Sequence, residues 1–176
     1  ASAAERPDSL GKDFWVTFTQ NLGSPDLSLF ISSPTATSGN VSVPGLSFSE
    51  DFTVTPGTVT TVTVPSAAQL DDGSSGDPQN LGIHITAQDE VAVYGLNRIQ
   101  FTTDAFMALP VDALSSEHVV LGWPAPGIQL GLNSEFAVVA TEDGTEVTYV
   151  PTADTTAGVN AGVSTTKTLN KGDALP

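Results

Sequence analysis

A chain of 176 residues, 39% hydrophobic and 14% charged, is long enough to bury a sizeable core and too apolar for a disordered polypeptide. Twenty acidic residues against five basic ones, a formal charge of −15, exclude a nucleic-acid partner and an anionic membrane surface, which are held by Lys and Arg on phosphate. The absence of cysteine excludes disulfides, thiolate catalysis and Cys-built metal sites, and no apolar run approaches the roughly 20 residues that span a bilayer.

Thr, Ser, Val and Gly are abundant, a mixture that favours pleated strands and turns over helices. The opening ASAAERPDS is small and polar, as expected just after a removed signal peptide, and residues 1–10 read as a flexible segment. In FWVTFT, Phe14, Val16 and Phe18 share one face, while Trp15, Thr17 and Thr19 share the other. Leu27, Leu29 and Ile31 alternate in LSLFIS, and the runs at 41–43, 52–54 and 62–65 continue the period of two. Pro56–Gly57 reads as a turn, with Pro fixing φ and Gly tolerating a positive one. DDGSSGDPQN, residues 71–80, is a loop.

GIHITAQDEVAVYGLNRIQFTTDAFMALP, residues 82–110, gathers several of the chain's rare side chains: His84, Tyr94, Arg98 and Met107. A three-residue loop at Gln88–Asp89–Glu90 makes residues 82–97 a hairpin, with Ile85 opposite Val93 and His84 opposite Tyr94. Residues 101–118 hold the only helix candidates, one or two turns at 104–107 or 110–114, and GWPAPG (122–127) is a rigid connection. In FAVVATEDGTEVTYVP (136–151), a type I′ turn at Asp143–Gly144 sets Ala140 opposite Val147 and Val138 opposite Tyr149. That register puts Phe136, Val138, Ala140, Val147 and Tyr149 on one face.

A weak repeat links FWVTFT…LSLFISSP (14–34) to FAVVATEDGTEVTYVP, and TPGT (55–58) to NKGD (170–173). It implies one sandwich followed by the first half of another, so that either the natural protein continues or the two halves share one larger sheet pair.

Arg98 could clamp a carboxylate or a sugar hydroxyl together with Asp104; its structural alternative is an ion pair with Asp104 or Asp89. His84 has no His at metal-ligand spacing and reads as structural, and neither it nor His118 sits in a nucleophile motif. Asp71, Asp72 and Asp77, with Ser74 and Asn80, offer hard oxygens suited to calcium without matching a known calcium-loop spacing, so a solvated loop is the simpler reading. Glu50–Asp51 and Asp89–Glu90 are sequence neighbours that a strand would point to opposite faces, so neither makes an acid–base couple. Alternating Thr in TVTPGTVTTVTV dresses a solvent face more simply than it builds an ice-binding one. Trp15 and Trp123 fit core burial better than sugar stacking.

In chain order, GKDFWVTFTQN, PGTVTTVTVP, IHITAQDEVAVYGLN, DAFMALPVDAL and EFAVVATEDGTEVTYVP resemble the N-terminal domain family of IgGFc-binding protein, from Gly11 to about Gly172. SSEHVV departs from it, with His118 near the place of an aromatic Tyr-Val step. The resemblance implies a secreted or surface β-rich binding module without catalysis, and it supplies no ligand-contact residues.

The expected fold is all-β: an antiparallel β-sandwich, Ig-like or jelly-roll-like, over 11–114, with a second, incomplete β-unit over 115–176 packed on the first. The expected function is a noncatalytic extracellular or cell-surface binding and adhesion module of a bacterial protein. Its partner would be an extracellular protein or glycan, with further domains of the same polypeptide beside it. A structural stalk or assembly module is the alternative, and a hydrolase a more distant one. The ligand-binding candidates are Arg98 and Asp104. No cofactor is expected other than calcium on Asp71, Asp72 and Asp77.

Overall fold

Strands form where apolar and polar residues alternate in the computed structural model, which describes residues 8–71, 76–122 and 134–176. The first seven are β1 (Gly11–Val16), β2 (Asp26–Ser32), β3 (Thr37–Val43), β4 (Phe48–Val54), β5 (Thr60–Val64), β6 (Ile83–Ile99) and β7 (Thr102–Met107). They make one seven-stranded antiparallel sheet around β6. The first half of β6 pairs with β1 and β3, and its second half pairs with β2 and β7. Strand β4 borders β3, and β5 borders β2. The sheet therefore folds over at the middle of β6 into two layers, β1-β6-β3-β4 and β7-β6-β2-β5. Phe14, Val41, Phe52 and Ile85 from one layer and Leu29, Val62 and Val93 from the other enclose a single core. This is the antiparallel all-β architecture that the alternation implies.

The expected hairpin at 82–97 is not formed. Gln88, Asp89 and Glu90 lie inside the 17-residue β6 as the exposed corner between its two halves. His84 faces Trp15 and Ser42, and Tyr94 faces Phe30 and Met107. Parity gives the physical reason. Ile83, Ile85, Val91 and Val93 are all odd-numbered, so an unbroken strand puts them on one face as well as an odd loop does. The corner is held by the Ser33 hydroxyl donating to the Glu90 carbonyl at 2.7 Å and the Asp89 amide donating to the Thr37 hydroxyl at 2.9 Å.

Helical structure among the described residues is confined to 3-10 turns at Pro44–Leu46, Ser66–Ala68 and Val111–Ala113. The last lies within the expected 110–114 turn, whereas Asp104–Met107, the other candidate, is strand β7.

The later strands are β8 (Val138–Val139), β9 (Thr145–Tyr149), β10 (Thr165–Leu169) and β11 (Ala174–Leu175). The expected pairing of 136–140 with 145–149 is replaced: β8 pairs with β11, and β9 with β10. The shared face survives nonetheless. Ala140, Val147 and Tyr149 cluster with Leu169 and Leu175, and the Phe136 ring meets Tyr149 edge-on at 5.6 Å. Gly144, with φ near 71°, ends a step that carries the chain from one small sheet to the other instead of reversing it beside itself.

This explains the repeat and shifts its register by one strand. In both units a pair of consecutive strands crosses from one sheet to another, and a second pair returns antiparallel to it. Thus β2-β3 with β4-β5 corresponds to β8-β9 with β10-β11: β2 pairs β5 as β8 pairs β11, and β3 pairs β4 as β9 pairs β10. The returning crossovers match in detail. The Thr58 amide donates to the Thr55 carbonyl at 3.1 Å around Gly57, and the Asp173 amide donates to the Asn170 carbonyl at 2.9 Å around Gly172. Both glycines have φ near +80°, which the turn requires.

The later strands dock on the first sheet through backbone. Gln79 and Ala174 exchange two hydrogen bonds of 2.8 Å, and the Gly82 amide donates to the Gly172 carbonyl at 2.8 Å. Gly172 also covers the ring of Trp15, where an added Cβ would lie 3.2 Å from the indole.

Candidate binding face

The layer β7-β6-β2-β5 turns one face to the core and the other outward. Because side chains alternate along each strand, register assigns the outer face row by row. One row is Thr61, Phe30, Tyr94 and Met107, a second is Thr63, Ser28, Leu96 and Ala105, and the third is Asp26, Arg98 and Thr103. Four large apolar or aromatic residues, Phe30, Tyr94, Leu96 and Met107, therefore stand where alternation against a core calls for polar ones. Tyr94 and Met107 are 45% and 47% exposed. Arg98 sits beside them, exposed and without an ion pair among the described residues.

The β6–β7 turn forms the rim of this face. Its Phe101 is 93% exposed and has φ near 80°, at the turn position that favours glycine. A left-handed conformation costs a side-chain-bearing residue about 1–2 kcal/mol. Below the turn lies a buried polar cluster. The Asn21 side-chain amide donates to the Asn97 side-chain oxygen at 2.9 Å, and Asn97 donates to the Thr19 carbonyl at 3.0 Å. The Thr102 hydroxyl donates to the Asn21 side-chain oxygen. These bonds hold the base of the turn rigid, so an apolar ring is kept in water on a fixed support. Phe101→Gly is expected to raise stability by about 1 kcal/mol in thermal unfolding, because it removes the strain and leaves the polar cluster intact.

Of the residues singled out in the sequence, Arg98 belongs to this face and Asp104 does not. Asp104 is in register with Asn97 and so points to the side opposite Arg98. Asp89 is 3.9 Å from Lys12. His84 lies in the other layer, with Nε2 2.8 Å from an Asp13 carboxylate oxygen and its ring stacked on Trp15 at 4.3 Å. The Lys171 ammonium lies 5.6 Å from the centre of the Trp15 ring, and Trp15 itself is buried. The structure thus does not bring His84 and Arg98 into one site. The His118 ring bonds the Ser115 carbonyl at 2.6 Å and is exposed.

Of the calcium candidates, Asp71 and Asp77 are exposed, whereas Asp72, like Ser74, lies outside the described residues. Gln79 closes the loop base by accepting from the Asp71 amide at 3.0 Å and donating to the Asp71 carbonyl at 2.9 Å. Among the described residues no group of three or more acidic or histidine side chains is placed to hold a metal. Trp123 also lies outside them.

Phe30, Tyr94 and Phe101 did not emerge from sequence reasoning as a site. The available signal was the alternation itself: read without a break through 83–99, it places Tyr94, Leu96 and Arg98 together on the outward side.

No curated protein and no solved structure matches this chain. A family model does, from within β7 onward, taking in the DAFMALPVDAL block and the later strands, while most of the outward face lies before the matched segment. Residues 104–176 are thus similar to the family described as IgGFc binding protein, the family whose motif order the chain resembles.

Proposed function

We propose that this protein is a noncatalytic binding module that works outside the cell, in adhesion or surface recognition. In this reading the face bearing Phe30, Tyr94, Met107 and Arg98, with Phe101 at its rim, docks an extracellular protein. The observation that carries it is the row of aromatic and apolar side chains turned to water beside an arginine. Aromatic residues and Arg carry much of the energy of protein interfaces, and an acidic chain that spends them on its surface has a use for them there. The family match, a family described by its binding of IgG Fc, supports the binding class. The charge of −15 favours a partner with a basic patch around the docked face.

The test is binding of the immobilised protein to a panel of extracellular proteins, IgG Fc included, and of glycans. Each is measured with calcium and with chelator, because Asp71, Asp72 and Asp77 are the proposed calcium set. A saturable partner is expected whose affinity falls about tenfold or more in Tyr94→Ala and in Arg98→Ala. Partners bound equally well by both variants would remove this face from the reading. A stalk or assembly role is the second reading, favoured by the edges of β8 and β9 that pair with nothing among the described residues.

A further inference from the structure

The two units share one strand plan but differ in a single element. In the first, the strand order is β4-β3-β6-β2-β5, with β6 running antiparallel to both β3 and β2 and joining the two layers. In the second, the corresponding strands are β10-β9 and β8-β11, and nothing among the described residues pairs with the inner edges of β9 and β8. Among the described residues, the place that β6 fills in the first unit has no occupant in the second.

Burial shows the same difference. In β2 and β3 the inward residues Leu29, Ile31, Val41 and Val43 are all 0% exposed. Their counterparts on β8 and β9, Val138, Val147 and Tyr149, are only partly buried, and Val150 just beyond β9 is 57% exposed. The fully covered side chains of the second unit, Ala140, Leu169, Ala174 and Leu175, are those next to the crossovers. Two edges that pair with nothing among the described residues, each above a half-covered apolar strip, form a template for one added strand.

We propose that the β8–β11 unit is a strand acceptor. It takes one extended peptide segment of the β6 pattern, apolar at alternate positions with a polar corner in the middle, antiparallel to both β8 and β9. The occupant is read from the molecule's own solution to the same geometry: Ile83, Ile85, Val91 and Val93 on the inner side of a 17-residue strand whose exposed corner is Gln88–Glu90. This inference does not rest on the outward face proposed above.

The probe is a synthetic peptide with the sequence of residues 82–99, added to the whole protein. Binding is followed by calorimetry, and backbone amides by hydrogen exchange. The expected result is saturable one-to-one binding with slowed exchange over 138–149. A peptide of equal composition with its alternation broken should bind at least tenfold more weakly, as should the intact peptide to Val147→Asp. Unchanged exchange in β1–β7 of that variant serves as the control for folding. No binding, or protection confined to the outer edges of β1, β4, β5 or β7, would overturn the proposal. Concentration-dependent protection of 138–149 without peptide would also overturn it as stated, by making a second copy of the chain the occupant.

Discussion

Ile85→Ala is expected to lower stability by about 2–5 kcal/mol, the range for truncating a large aliphatic side chain that its surroundings cannot close over. Ile85 is 0% exposed and sits at the crossing of three strands, opposite Phe14 on β1 and Val41 on β3. For a chain of this length a loss of that size lowers the melting temperature by on the order of 10 °C. Because β6 belongs to both layers, hydrogen exchange should accelerate in β2, β5 and β7 as well as in β1, β3 and β4. A loss restricted to the first layer would mean that β6 does not couple the two. Arg98→Ala, on the outward face of the same strand, should change stability by no more than about 0.5 kcal/mol and is the control.

The second large effect is expected from Trp15→Ala. Trp15 projects from the outer side of β1, where His84 covers one part of its ring and Gly172 and Lys171 another. It is 8% exposed despite facing away from the main core, because His84 and the residues of the later unit cover it where that unit docks. Removing a buried tryptophan side chain costs about 3–5 kcal/mol. Here the loss should fall on docking more than on the sandwich. Amides at 170–175 and at Gln79 and Gly82 should exchange faster while those of β6 stay protected, and proteolysis should begin within 134–176. Equal acceleration throughout the chain would place Trp15 in the main core's cooperative unit instead.

Much of the fold was legible in the alternation. Phe14, Val16 and Phe18 are buried together, as are Leu27, Leu29 and Ile31, because a period of two allows only one choice of inward set. Partners were less legible than faces. The polar triplet Gln88–Glu90 looks like a loop in sequence, yet a corner in a bent strand has the same composition, since its residues face solvent for the same reason. The stretch 136–149 misleads in a related way: a Gly-containing turn that crosses between sheets preserves the apolar face of a hairpin while exchanging its partners. Arg98 drew notice as a rare cation, but its setting required knowing that Phe30, Tyr94 and Met107 are neighbours across three strands. Asp104 was joined to it by closeness in sequence, and strand parity separates them.

The single strand shared by both layers also sets an order of events as the chain folds. Strands β2 to β5 can zip into a bent hairpin from local contacts, but neither layer closes until β6 arrives from later in the sequence, and contacts of such separation form slowly. Until then the inner edges of β2 and β3 stand open over half-covered apolar residues. Among the described residues the inner edges of β8 and β9 likewise have no strand partner, so the β8–β11 strands show the arrangement that β2 to β5 hold before β6 arrives.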